Sequence, residues 1–315
     1  MLMQIKTMGA AACDAEREVE AVLARIEPWS GRALRYAPVL GGISNTNWRV
    51  WVDGEAQSYF VKVPGRGTEQ FIDRKAAFAA SRLAEQIGIG PRLYDYAFEQ
   101  GVEINDFVEG RATCSNRDFL ERNVRASVMH AYRTLHGAPP LPLTKTIFDL
   151  IDEHVAQVHE VGGTLPADFA LIHARYREAR AALEASGLDI VPCFNDPMPG
   201  NFLRDDAGTI LLIDYEYASN NDRCYDIGAL SGEMFFTADV ETELVETYFG
   251  RVSNDVMARV TVHKALADIK WATWSMLQNE ISTLDFDYAK YGAWKFMRAR
   301  SVIEAPRWQD WLRSL

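Results

Sequence analysis

Cysteine is scarce and scattered: Cys13, Cys114, Cys193 and Cys224 are the only four among 315 residues, and no two stand in CxxC spacing. That distribution fits neither a disulfide framework nor a cysteine-based zinc site, and it makes a reducing, cytoplasmic location the expectation. Long apolar runs are missing as well. Nowhere do about 18 uncharged apolar residues follow one another, and residues 1–8 hold one lysine without an apolar stretch of signal length. Neither export nor membrane insertion is expected. Positive charge is in deficit: 33 Lys and Arg face 44 Asp and Glu, a net charge of −11. Nucleic-acid affinity depends on cations that neutralise phosphates, so this balance argues against it, whereas an acidic surface is compatible with a cationic ligand. Internal repeats and low-complexity tracts are also absent.

What is present reads as a folded globule, with 48% hydrophobic and 24% charged residues. The length is generous for one core, so two lobes with a cleft between them are expected. Residues 14–27 carry Val19, Val22, Leu23 and Ile26 at helical spacing behind Asp14 as N-cap. From Tyr36 to Val63 the pattern changes to three strand-like runs separated by Gly41-Gly42 and Asp53-Gly54. Helical periodicity returns over 68–87 and stops before Gly88 and Gly90-Pro91. Leu93–Phe98 and Val102–Phe107 then predict a further strand pair. Candidate helices follow at 117–136, 146–160, 167–186, 240–250, 253–279 and 285–303, interrupted by a non-helical block, 190–228, with short apolar runs at Ile190–Phe194 and Ile210–Ile213. The fold class is therefore α+β: residues 1–105 form a small lobe around an antiparallel sheet, and 106–315 a larger, mostly helical lobe.

Inside that block stand Asp196 and Asn201, and Asp214 closes the run Ile210-Leu-Leu-Ile213. Phosphoryl transfer needs a carboxylate to orient a hydroxyl and take its proton, together with oxygen ligands for magnesium beside the β- and γ-phosphates. Asp196 suits the first task, and Asn201 and Asp214 the second. The D-x4-N spacing alone is weak, because Asp, Asn, Pro and Gly crowd ordinary turns. Greater specificity comes from the wording, Phe194-Asn-Asp196-Pro-Met-Pro-Gly-Asn201, then Ile213-Asp-Tyr-Glu-Tyr-Ala-Ser219 and Arg223-Cys-Tyr-Asp-Ile227. It resembles the catalytic core of choline and ethanolamine kinases, which belong with the aminoglycoside phosphotransferases among protein-kinase-like folds.

The resemblance implies a two-lobed kinase fold that uses ATP and Mg2+, with Asp196 as base, Asn201 and Asp214 holding magnesium, and Arg223 and Asp226 supporting the catalytic loop. Leu40-Gly41-Gly42-Ile-Ser44-Asn45-Thr-Asn47 resembles the nucleotide-binding loop, where glycines let backbone N–H groups approach phosphates. By the same resemblance Lys62 reaches the α- and β-phosphates, and the stretch Asn105-Asp-Phe107-Val-Glu-Gly110 is the hinge beside the adenine.

Trp271 and Trp274 stand three residues apart on one helical face, Gln278 follows one turn later, and Tyr288 and Tyr291 repeat the spacing. Such aromatics are commonly core packing, and they are also what recognises quaternary ammonium groups through cation–π attraction. In sequence they look like the family's choline-binding segment, and Glu233 falls where choline kinases carry an acidic residue near the ammonium. A small cationic alcohol, choline, is therefore the expected partner, with ethanolamine, an aminoglycoside or thiamine as alternatives and a monomer or homodimer as the assembly. Two departures stand out. Phe194 replaces the family's histidine two positions before the base, and packing is expected to take over its supporting role. Ala77 replaces the glutamate that would pair with Lys62, leaving Glu69, Asp73 or Glu85 as substitutes, with Asp73 favoured; the same gap keeps open a non-catalytic pseudokinase. His154 and His159, five apart, lack zinc spacing on a helix.

Overall fold

A computed structural model describes residues 5–41, 45–65, 72–282 and 284–315. In the first lobe, β1 (Lys6–Thr7) precedes α1 (Asp14–Leu23), then β2 (Leu34–Val39), β3 (Asn45–Val52), β4 (Ser58–Pro64), α2 (Arg74–Gln86), β5 (Leu93–Tyr94) and β6 (Glu103–Asp106). The six strands make one sheet in the order β1-β2-β3-β4-β6-β5, with every pairing antiparallel. Successive side chains of a strand point to opposite faces. Trp48, Val50 and Val52 of β3 and Val61 and Val63 of β4 accordingly share a core with Val19, Leu23 and Trp29, under α1 and the turn after it. Lys62, between Val61 and Val63, is sent to the opposite face, where the cleft lies.

The second lobe holds β7 (Ala112–Thr113), α3 (Arg122–His136), α4 (Ile147–Glu160), α5 (Phe169–Ser186), β8 (Ile190–Cys193), β9 (Phe202–Arg204), β10 (Ile210–Leu212), β11 (Ser219–Asp222), α6 (Arg223–Glu233), α7 (Ala238–Phe249), α8 (Asn254–Ile281), α9 (Tyr288–Ile303) and α10 (Trp308–Ser314). Its strands form two small antiparallel sheets, β10-β9-β7 and β11-β8. α8 is the central element, buried along most of its length and packed against α4, α6, α9 and α10. A helix apolar on nearly all sides belongs in an interior. Gly228 of α6 allows the closest approach: a Cβ there would lie 2.7 Å from the Lys264 nitrogen and the Val260 carbonyl oxygen of α8.

The two-lobed α+β expectation holds, with local corrections. α1 starts at Asp14 with Cys13, not Asp14, at its N-cap. α2 begins at Arg74, later than the expected 68, and Asp73 caps it by accepting from the Ala76 nitrogen at 3.0 Å. The block 190–228 is not wholly non-helical, because α6 begins at Arg223. β1 and α10 were not expected. The four cysteines are free, and Cys193 is a buried strand residue as read.

Candidate active site

A cleft of about 390 Å³ runs between the lobes, lined from the first by Gly41, Lys62, Asn105 and Phe107 and from the second by Asp196, Asn201, Asp214, Tyr217, Trp271 and Trp274. Residues far apart in sequence thus meet along one surface.

The loop carrying Asp196 is held from below. Asp226, fully buried in α6, accepts from the backbone nitrogens of Phe194 at 2.7 Å and Asn195 at 2.8 Å and contacts His136 Nε2 at 3.0 Å. Asn195 sits in left-handed backbone at φ 66°. That conformation is compensated by its side chain, which donates to the Tyr217 carbonyl at 2.9 Å and to Ser219 Oγ at 2.8 Å. Asp214 is left-handed too, at φ 67°. Strained backbone at Asn195, directly before Asp196, and at Asp214 is typical of a preorganised site. Phe194, in the histidine's place, is buried edge-on against Phe202 and Tyr215.

Asp196 is 7% exposed; Asn201 Nδ2 donates to its Oδ2 at 3.1 Å and to its carbonyl at 3.2 Å. Its Oδ1 has no partner among the described residues. Burial pushes its carboxyl up to about 7; Lys270 and the Asn201 hydrogen bond pull downward, while Asp214 and Glu233 add to the rise. Such a carboxylate is poised to take a proton near neutrality.

Lys62 is nearly buried and meets three carboxylates: Asp214 Oδ1 at 2.8 Å, Glu216 Oε1 at 3.6 Å and Glu103 Oε2 at 3.9 Å. Burial works against its charge, but Asp214, Glu216 and Glu103 outweigh burial and hold the ammonium above the usual lysine range. Here the expectation of Asp73 as the lysine's partner is corrected, because that side chain is used as the cap of α2; Glu69 lies outside the described residues. Glu85 pairs with Arg82. α2 contributes in another way: Arg74 reaches Glu216 at 3.2 Å, and Ser81 donates to Glu103 at 3.3 Å. Beside Ala77 is a cavity of about 20 Å³, bordered by Lys62, Arg74 and Glu216. Glu103 and Glu216 were missed in the sequence, although Glu103 stands directly opposite Lys62 in the β4–β6 register.

Of the expected nucleotide-loop residues, Gly41 lines the cleft with φ 114°, a conformation that favours glycine. Gly42 and Ser44 lie outside the described residues. Asn45 is turned to Glu216, to which it donates at 2.8 Å. Asn105 donates to Glu103 at 2.7 Å, and the Phe107 ring lies 4.0 Å from the Arg49 guanidinium.

The aromatic residues do assemble. Trp271 and Trp274 meet edge to face at 5.5 Å, Tyr217 adds to Trp271 at 5.2 Å, and Tyr288 and Tyr291 pack on Trp274 at 5.9 and 6.4 Å. Only Tyr217, Trp271 and Trp274 of these line the cleft; Tyr217 was not among the expected acceptor residues. Tyr288, Tyr291 and Gln278 are not among the residues lining the cleft; the two tyrosines reach it only through their packing on Trp274. Glu233 ion-pairs with Lys295 and is not among the residues lining the cleft, and its charge acts on Asp196 and Tyr291. Arg223 pairs with Asp189, at 2.5 Å, and not with the loop it was expected to support. The oxygen donors of Asn201 and Asp214, with the unpartnered Asp196 Oδ1 beside them, are the hard ligands a magnesium ion takes.

Residues 36–248 match the family described as choline/ethanolamine kinase. Among curated proteins, the chain is similar to an ethanolamine kinase of Drosophila melanogaster, 28% identical over 288 residues, which are 78% of this chain and 55% of that one. Its similarity to ethanolamine kinase 2 of Homo sapiens is 27% over 311 residues, 89% of this chain and 80% of that one. Among solved structures, a choline/ethanolamine kinase family protein from Mesorhizobium loti superposes with a TM-score of 0.81 at 27% identity, covering 95% of this chain and 98% of that one. Solved choline kinases and aminoglycoside phosphotransferases share the fold.

Proposed function

The chain belongs to the choline/ethanolamine kinase family, and on that premise we propose that it transfers the γ-phosphoryl group of ATP to the hydroxyl of choline, giving phosphocholine. As a family member it is an ATP-dependent phosphotransferase with a small alcohol as acceptor. The observation that carries the choline reading is the continuity of one cleft, from Lys62 and Asp214 past Asp196 to the wall of Tyr217, Trp271 and Trp274.

In this reading Lys62 contacts the non-transferred phosphates, held in place by Glu103 and Glu216. Asn201 and Asp214 hold magnesium, which when bound offsets the charge that gathers on the phosphates. Asp196 orients the acceptor hydroxyl and takes its proton as the oxygen attacks phosphorus. Gly41 and its loop face the phosphates, and Asn105 and Phe107 border the adenine. The three rings that line the cleft receive the trimethylammonium group, each at about 0.5–2 kcal/mol. Tyr288, Tyr291 and Gln278 support those rings, and Glu233 contributes negative charge at longer range. Asp226 keeps the Asp196 loop in register. The three carboxylates around Lys62 supply what a glutamate at Ala77 would have supplied, which removes the motive for a pseudokinase. Ethanolamine is the second reading, favoured by the relatives that carry that name.

The test is ADP release from Mg-ATP with choline, ethanolamine, thiamine or kanamycin as acceptor. Choline turnover well above the no-acceptor rate is expected, with Trp274→Ala raising the choline KM about tenfold or more. A choline rate equal to the no-acceptor control, or an unchanged KM in the variant, contradicts the reading.

A further inference from the structure

Three helices bring a group of charges together beside the aromatic residues. Lys295 of α9 is 4% exposed and ion-pairs with Glu233, the last residue of α6, and Asp268 Oδ1 of α8 stands 3.9 Å from its Nζ. Two carboxylates so placed are what a buried ammonium needs to stay charged. Arg298, one turn further along α9, is engaged elsewhere: its Nε donates to Asp268 Oδ2 at 3.0 Å and its Nη1 to the Gly232 carbonyl at 2.6 Å, while Glu233 lies 4.0 Å away. Lys295 is thus the direct partner of Glu233.

Tyr291 connects this group to the cleft. The Lys295 Nζ lies 5.1 Å from the centroid of that ring, the ring packs on Trp274, and Trp274 lines the cleft. The charge of Glu233 is felt at Tyr291 and at Asp196, and its side chain keeps 19% of its surface exposed. Among the described residues, the carboxylates that line the cleft are engaged as well. Asp196 is the proposed base, Glu103, Asp214 and Glu216 surround Lys62, and Asp106 accepts from the Tyr94 hydroxyl at 2.8 Å. A primary ammonium brings three N–H donors, and each must find an acceptor once water is removed. A quaternary ammonium has no such donor and is satisfied by the faces of rings.

We infer that Lys295 is a positioning residue that decides acceptor specificity: by holding Glu233 it denies a primary ammonium the carboxylate that would bind it, and so tunes the site towards a quaternary one. The inference rests on the proposed choline reading and adds to it what turns the same site away from ethanolamine.

Specificity constants kcat/KM are measured for choline and ethanolamine with saturating Mg-ATP in the wild type, in Lys295→Met, and in the double variant Lys295→Met with Glu233→Gln. The wild type is expected to favour choline. In Lys295→Met the choline-to-ethanolamine ratio should fall about tenfold or more, through a lower ethanolamine KM, because the released carboxylate makes a charge-assisted hydrogen bond to the primary ammonium. Adding Glu233→Gln removes that charge and should bring the ratio back towards the wild-type value. General damage to folding, or to Asp196, would depress both acceptors together and would not be reversed by the second substitution. A ratio that stays the same or rises in Lys295→Met, or a lowered ratio that Glu233→Gln does not restore, overturns the inference. Should Lys295→Met not fold, Lys295→Gln is read in the same way. A wild type that phosphorylates neither alcohol, or prefers ethanolamine, takes the choline reading down together with the inference; if it prefers choline and Lys295→Met leaves the ratio in place, only the inference falls.

Discussion

Asp196 gathers the opposing demands of the site into one side chain. Removing it from water favours the protonated acid, and Asp214 and Glu233 push the same way, while Lys270 and Asn201 favour the carboxylate. The net result is a carboxyl near 7, and a base works only when ionised. Activity should therefore rise with pH through that region and level off above it. A profile of kcat/KM for choline from pH 5 to 9 is expected to show an acid limb of roughly unit slope; a flat profile between pH 5 and 8 would remove Asp196 as the titrating base. Much at this scale was legible beforehand. Asp196, Asn201 and Asp214 were found from residue type, spacing and resemblance, and the structure brings them to one cleft. Lys270 was not, because a lysine in an apolar helix looks in sequence like any surface cation. Its burial depends on which neighbours surround α8.

Among the elements, α2 and β6 divide the task that one helix glutamate would perform. β6 presents Glu103 across from Lys62, the turn after Asp214 presents Glu216, and α2 holds both through Ser81 and Arg74. This arrangement was invisible because cross-strand register is not a property of either strand alone. Strand periodicity put Lys62 on one face but did not say what would stand opposite. α6 escaped notice for a related reason: Cys224 to Gly232 are all buried, so no polar stripe marks a helical period. The division of labour makes a testable pair. Glu216→Ala should lower kcat about tenfold or more, by releasing Lys62 and Arg74 together. Adding Ala77→Glu, whose carboxylate enters the cavity beside Lys62 and Arg74, should restore part of that loss. Steady-state kinetics with Mg-ATP check both, and a Glu216→Ala rate equal to wild type would show that Glu216 has no part in positioning the lysine.

For the whole molecule, the sheet has a core of its own, the helical lobe has one of its own and shares another with Ala80, Ala84 and Ile89 of the first lobe, and the cleft takes its walls from both lobes. The alternation of helix and strand periods was enough to foresee that architecture. The helix faces and strand registers that decide which side chains meet required the folded chain. No described helix is long and apolar enough to cross a membrane, and Tyr217, Trp271 and Trp274 open on the same cleft as Lys62 and Asp214. The central claim is that a phosphoryl group crosses this cleft from ATP to a bound alcohol with Asp196 as base. The most direct measurement is a 31P NMR spectrum of the protein with Mg-ATP and choline, beside the same mixture with Asp196→Asn. A phosphomonoester resonance growing in step with ADP, and missing with the variant, is the predicted result; ADP and inorganic phosphate without a phosphomonoester, or an equal phosphomonoester signal from both proteins, would contradict it.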